Sequence, residues 1–158
     1  MLTSRIDNRR YSTSKTPKPL AIIQATSISN VRATILCVRR HDMRIRIRCG
    51  GHDFESIASV FVILDMLNFR KIKIDMSEEV AWVEAGASLG ELHYKIAKVS
   101  KVHGFSASVC PEVCTGGHFS SGGYGNMIRK YGLSSDNILD AKIMDVREGI
   151  LLFSVPKI

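Results

Sequence analysis

Apolar positions along this chain recur with two periods, one near two residues and one near three to four, and the alternation between them predicts the elements. Leu20 to Gln24 reads as a short strand after a polar stretch that ends in Thr16-Pro-Lys-Pro, and residues 1–18 read as a tail or linker. Ser27 or Ser29 can cap a helix in which Val31, Ile35 and Val38 lie three or four residues apart and form one buried stripe. Arg44, Arg46 and Arg48 then alternate with Ile45 and Ile47, which predicts a strand with arginines on one face and isoleucines on the other. A solvated arginine face is the simpler reading, with phosphate binding as the alternative.

Val60 to Leu64, closed by Asp65, reads as a buried strand, far too short to cross a bilayer. Ile72 to Ile74 and Ala81 to Ala85 follow as strands. In the second, Trp82 and Glu84 alternate with small apolar residues, and Trp82 is expected in the core or in the wall of a cofactor site. Ser88-Leu-Gly-Glu91 has the hydroxyl and carboxylate spacing of a capping box, which predicts a helix whose apolar face runs through Leu92, Ile96 and Val99. Glu91 is therefore read as a cap, not a base. Leu139 to Val146 reads as a late strand. This uneven order of strands and helices argues for an α+β fold over a doubly wound sheet.

The net charge of +7 resembles a nucleic-acid signal until it is divided along the chain. Residues 1–48 carry +9 and residues 49–158 carry −2, so the surplus belongs to one end. Few aromatics are interleaved with it, and no nucleic-acid partner is expected. The N-terminus lacks the apolar run of a secretory signal, which leaves the compartment open. The four cysteines could form two disulfides, and a structural disulfide pair is one alternative; the spacing of Cys110 and Cys114, with Pro111 between them, fits neither a zinc nor a redox motif, and no metal site is expected.

Two glycine-rich loops, each with a histidine, carry the candidate chemistry. In Arg48-Cys-Gly-Gly-His52-Asp-Phe a strand runs into Gly50-Gly51, where missing β-carbons allow close approach of a ligand to backbone N–H groups. The second loop, from Cys110 to Gly125, contains Gly116, Gly117, His118, Ser121, Gly122 and Gly123. Neither loop has the Lys-Ser/Thr of a triphosphate-binding loop or the Gly-x-Gly-x-x-Gly of a dinucleotide-binding turn. Two such loops suit one extended cofactor, although tight turns use the same residues.

Residues 16–146 resemble the N-terminal part of the plant berberine bridge enzyme-like family, FAD-linked oxidoreductases of the vanillyl-alcohol oxidase type. The resemblance runs through Ile45-Arg-Ile-Arg-Cys-Gly-Gly-His-Asp-Phe-Glu, Phe61-Val-Ile-Leu-Asp-Met, Trp82-Val-Glu-Ala-Gly-Ala-Ser-Leu-Gly-Glu-Leu, Lys101-Val-His-Gly-Phe, Val109-Cys-Pro, Gly116-Gly-His-Phe-Ser and Arg129-Lys-Tyr-Gly-Leu-Ser-Ser-Asp-Asn. It implies an FAD-binding domain of the PCMH type, with two small α/β subdomains, incomplete here and occupying residues 19–158, and no substrate domain. It further implies FAD bound covalently through His52 and Cys110, with His118 on the flavin or its ribityl chain. Cys49, Gly50, Gly51, Asp53, Gly116, Gly117, Ser121, Gly122 and Gly123 complete the expected cofactor contacts. No catalytic base is assigned, because the resemblance puts the base and the small-molecule substrate contacts in a domain that only intact relatives carry.

The sequence departs from the family pattern at several points. Ser56 replaces a usual glycine in a shortened segment, Cys49 and Cys114 stand where small residues without sulfur are usual, and Ser121 interrupts a glycine run. His41, His93 and His103 read as peripheral. The expected function is the cofactor part of a flavin-dependent oxidase acting on an alcohol-like or amine carbon with dioxygen. The alternative is a truncated, inactive product that binds FAD weakly or not at all.

Overall fold

The computed structural model describes residues 13–52 and 60–145, together with the backbone of 151–152. The chain divides into two compact units, residues 1–68 and 69–158. The first unit holds β1 (Ala21–Gln24), α1 (Ile28–Arg40), β2 (Arg44–Arg48) and β3 (Phe61–Asp65). Its strands form a parallel sheet in the order β1-β3-β2, which makes β3 the central strand. That position explains why β3 is apolar without alternation: Phe61, Val62 and Leu64 are all buried. Ser27 is the residue that caps α1. Its hydroxyl accepts from the Asn30 N–H at 3.3 Å, and the Asn30 side-chain oxygen accepts from the Ser27 N–H at 3.2 Å. Val31, Thr34, Ile35 and Val38 form the buried face of this helix.

The arginine strand departs from expectation. Ile47 is 72% exposed, whereas the Arg48 side chain retains 11% of its accessible surface. Alternation sets which face a residue occupies, but depth is set by position in the sheet. Ile47 shares its register position with Leu64 of β3, yet Leu64 is central and 1% exposed while Ile47 sits on an outer strand. Arg48 is drawn in by Asp65, its register partner, whose buried carboxylate accepts from the Arg48 Nη2 at 2.6 Å.

The second unit begins with an antiparallel hairpin of β4 (Ile72–Asp75) and β5 (Val80–Val83). Asp75 closes the turn by accepting from the Ser77 hydroxyl at 2.6 Å and from the Ser77 N–H at 3.0 Å. Next comes α2 (Leu89–Val99), with the capping box that the sequence predicts: the Ser88 hydroxyl accepts from the Glu91 N–H at 3.2 Å, and the Glu91 carboxylate accepts from the Ser88 N–H at 2.9 Å. Glu91 also accepts from Arg70 at 2.7 Å. Ala81, Val83, Leu89, Leu92, Ile96, Phe105 and Phe119 pack into the core of this unit, with the two phenylalanine rings edge to face at 5.2 Å.

Two expectations fail here, and that for Trp82 loses one of its two alternatives. Val99 is 54% exposed, because the layer it would join ends one turn earlier at Ile96. Trp82 is 40% exposed, which removes the core alternative; it lines an open surface hollow with Lys71, Lys73 and Lys142, and alternation assigns the buried face of β5 to Ala81 and Val83. The late strand shrinks to β6 (Lys142–Ile143), since its partner β7 (Leu151–Leu152) offers only two residues of pairing; Val146 lies outside the described residues.

Candidate functional site

The first glycine loop leaves β2 through Cys49-Gly50-Gly51-His52. Gly51 has φ +78°, a conformation that favours glycine and that sets the backbone direction into His52, which is partly buried. Asp53 and Ser56, which the sequence reading singled out, lie outside the described residues.

The second loop is bound to the start of α2. Leu89 N–H donates to Val113 O at 2.8 Å and Gly90 N–H to Pro111 O at 3.1 Å. In return Thr115 N–H donates to Ala87 O at 2.9 Å and Gly116 N–H to Ala85 O at 3.0 Å. The segment then forms a short helix, α3 (Thr115–Ser120), which carries Gly116, Gly117 and His118. A β-carbon on Gly116 would lie 2.9 Å from both the Ala85 β-carbon and its carbonyl oxygen, so this glycine permits packing within the unit. On Gly117 a β-carbon would meet nothing within 4 Å. Of the two adjacent glycines, only Gly117 presents bare backbone to open space.

Beyond Ser121, which ends α3 and is exposed, Gly122 and Gly123 turn the chain back. Gly123 has φ +79°, and a side chain there would strike Ser134 and the His118 ring. Ser134 is fully buried: its hydroxyl lies 2.6 Å from Ser106 O and 3.1 Å from Gly123 O, and its N–H donates to Gly123 O at 3.0 Å. The sequence reading missed Ser106 and Ser134. For Ser134 the only sequence signal is the run from Arg129 to Asn137, which matches the family without a role for its serines; Ser106 lies just past the Lys101–Phe105 match and has none. After it, α4 (Ile128–Tyr131) ends at Gly132, whose carbonyl accepts from the Ser106 hydroxyl at 2.6 Å.

His118 spends one ring nitrogen inside the protein, where Nε2 accepts from the Ser108 N–H at 3.1 Å. Its proton therefore belongs on Nδ1, which remains able to donate. Burial, and then the neighbouring His93, push His118 below the ordinary imidazole value and favour the neutral ring. Cys110 is an exposed free thiol whose N–H donates to the Ser108 hydroxyl at 3.2 Å. Cys37 is the other free thiol among the described residues. Cys49 is partly buried, and Cys114 is buried with its sulfur 3.8 Å from Gly86 O. His93, read as peripheral from sequence, places Nε2 at 3.2 Å from Ser108 O.

These parts fit a flavin nucleotide by their chemistry. They offer an exposed thiol, a histidine preceded by paired glycines, a second histidine with a spare N–H, and a helix start whose Gly117 backbone a large planar ligand can approach. No group of three or more His, Cys, Asp or Glu side chains among the described residues is placed to hold a metal. None of the described helices is long and apolar enough to cross a membrane.

Residues 19–153 match the FAD binding domain family, and the chain belongs to that family. Within that family it matches berberine bridge enzyme-like proteins, over their N-terminal part only. It is 51% identical to berberine bridge enzyme-like 16 of Arabidopsis thaliana over 148 residues, 91% of this chain and 27% of that protein. Among solved structures, it superimposes on a berberine bridge enzyme variant described as a reticuline dehydrogenase with a TM-score of 0.89 and 42% identity, covering 94% of this chain and 30% of the other. It also superimposes on Phl p 4, a grass pollen allergen with glucose dehydrogenase activity, with a TM-score of 0.91 and 38% identity, covering 96% of this chain and 32% of that one. The chain thus spans about a third or less of the relatives it matches.

Proposed function

We propose that this chain holds one FAD through two covalent tethers, His52 on the flavin 8α-methyl carbon and Cys110 on flavin C6, as the cofactor-binding part of an oxidoreductase. The observation that carries the reading is Cys110: a thiol left free and exposed at the head of a loop whose backbone is fixed on both sides of it. Imidazole and thiolate are nucleophiles suited to an oxidised, electron-poor flavin; each tether would exchange a flavin C–H bond for a C–N or C–S bond, with the two displaced protons and two electrons passing to dioxygen as hydrogen peroxide. His118 would donate from Nδ1 to the flavin or its ribityl chain, and Gly117 would bring backbone to the cofactor without a side chain between them. Gly50, Gly51, Gly122 and Gly123 would shape the rest of the cradle, with Cys49, Asp53 and Ser121 at its margins.

Bound FAD would supply hydride acceptance from an alcohol-like or amine carbon and onward transfer of electrons to dioxygen. The protein's share, in the residues at hand, is to bind, orient and fix the ring. One relative is described as a reticuline dehydrogenase and another has glucose dehydrogenase activity. That contrast between an alkaloid and a sugar supports placing substrate choice in the part of those proteins that this chain does not span.

The test is to express the chain with FAD, denature it, and map flavin onto peptides by mass spectrometry. Flavin mass on the peptides that contain His52 and Cys110 is the expected result. Complete loss of flavin on denaturation would overturn tethering by these residues alone.

A further inference from the structure

We propose that His93 is a positioning residue for the Cys110 thiol, acting with His118 as a two-sided clamp on Ser108. The inference rests on the reading of Cys110 as a tether, but the clamp itself can be measured without flavin.

Ser108 commits all three of its polar groups. Its N–H donates to His118 Nε2 at 3.1 Å, its carbonyl lies 3.2 Å from His93 Nε2, and its hydroxyl accepts from the Cys110 N–H at 3.2 Å. A carbonyl oxygen can only accept, so His93 must carry its proton on Nε2, whereas His118 must keep Nε2 bare. The two rings are thereby held in opposite tautomers by one residue. They come from separate elements, α2 and α3, which approach Ser108 from either side in sequence.

The chain is buried from Phe105 to Ala107, but from Val109 to Glu112 it has no buried side chain. Val109 is 70% exposed, and Cys110, Pro111 and Glu112 are exposed as well, so no side chain between 109 and 112 reaches the core. Downstream, the Pro111 carbonyl is tied to Gly90 N–H at 3.1 Å. Upstream, hydrogen bonds to Ser108 supply the anchorage, and Cys110 lies between the two anchors. Removing His93 frees the upstream anchor to turn about the Ser108 backbone, and the thiol loses its fixed direction. A tether needs a fixed direction, because the reacting atoms must be held near contact distance.

The experiment uses the full chain without flavin, comparing His93→Ala, His93→Gln and Ser108→Ala with the unaltered protein. Loss of one hydrogen bond to an exposed loop should raise amide exchange by about tenfold. In His93→Ala this rise is expected at the Ser108 and Cys110 amides, with α2 amides unchanged because alanine is a strong helix former. His93→Gln, whose amide N–H can replace the imidazole N–H, should restore slow exchange. Ser108→Ala should release the Cys110 amide alone. Alkylation of Cys110, measured against Cys37 in the same molecule, should change in His93→Ala and return in His93→Gln. Unchanged exchange and alkylation in His93→Ala would overturn the clamp. With FAD present, His93→Ala should lower the fraction of Cys110 peptide carrying flavin and leave the His52 peptide unaffected. If the unaltered chain puts no flavin on Cys110, the tether reading fails while the exchange data still judge the clamp.

Discussion

The Gly116 amide donates to the Ala85 carbonyl at 3.0 Å, and a β-carbon on Gly116 would lie 2.9 Å from the same oxygen. The neighbouring Gly117 would meet nothing. Two adjacent glycines on one helix thus have different reasons to be glycine, and substitution should separate them. Gly116→Ala must push two backbone segments apart and should destabilise the chain by roughly 1–3 kcal/mol. Gly117→Ala should stabilise the flavin-free chain by about 0.5–1 kcal/mol, since alanine is the better helix residue. If the space over Gly117 belongs to the cofactor, the same variant, or more strongly Gly117→Val, should lose flavin retention. Urea unfolding of the flavin-free variants, followed by flavin retention after incubation with FAD, checks both halves. A Gly117→Val chain that retains flavin normally would remove Gly117 from the cradle.

Local signals in the sequence were enough for the elements whose stability is local. The capping box at Ser88 and Glu91 and the stripe through Val31, Ile35 and Val38 depend on neighbours a few residues away. What could not be read depends on partners far along the chain. Arg48 looks like a solvated arginine until register places it beside Asp65, seventeen residues on. Ser134 looks like a loop serine until its hydroxyl is found on Ser106 O, twenty-eight residues earlier. In the site, glycine and histidine content marked the loops, but the division of labour between Gly116 and Gly117 needed the path of Ala85. His93 looks peripheral in the sequence because nothing in its own helix points to Ser108.

Ser134 provides the next test. It is fully buried, and its hydroxyl serves two carbonyls, with Ser106 O the shorter at 2.6 Å. Ser134→Ala leaves the Gly123 carbonyl its bond from the Ser134 N–H but strips the Ser106 carbonyl of the hydroxyl donor, so the loss should be about 1–3 kcal/mol. Ser134→Thr adds a methyl group next to Gly123 and should disturb that turn as well. Denaturant midpoints decide this; a loss in Ser134→Ala below a few tenths of a kcal/mol would mean that water replaces the hydroxyl at no cost.

His118 predicts a pH dependence. Its folded-state pKa lies below the ordinary imidazole value of 6.5, with burial the first cause and His93 the second. Between the lowered value and 6.5 the unfolded chain binds more protons than the folded one. Stability contributed by the neutral ring is therefore complete above about pH 6.5 and declines as the pH falls through the folded pKa. Protonation at Nε2 would also set a donor against the Ser108 N–H. His118→Gln, which keeps an acceptor for that N–H but cannot titrate, should flatten this acid limb of the stability curve. The comparison is the difference in unfolding free energy between the two proteins from pH 8 down to about pH 5; a difference that stays constant would show that His118 is not its source.

Arg48 and Asp65 make the sharpest stability test in the first unit. Their side chains retain 11% and 1% of their accessible surface, and the contact is 2.6 Å. Arg48 also buries Nε and Nη1 without hydrogen-bond partners. The guanidinium is thus held by its attraction to the Asp65 carboxylate at the cost of two stranded donors. Arg48→Met keeps much of the aliphatic length, removes those donors, and leaves the Asp65 charge without its guanidinium. Removing one member of a buried ion pair should cost roughly 3–5 kcal/mol. Asp65→Asn in the same chain should recover part of that loss, because an amide needs no counter-charge and its oxygen can still accept from the Leu67 N–H, as Asp65 Oδ1 does at 3.0 Å. The double variant should therefore be less damaged than the sum of the two single variants, a coupling that a denaturation cycle measures directly. Additive losses would mean that the pair contributes through packing alone.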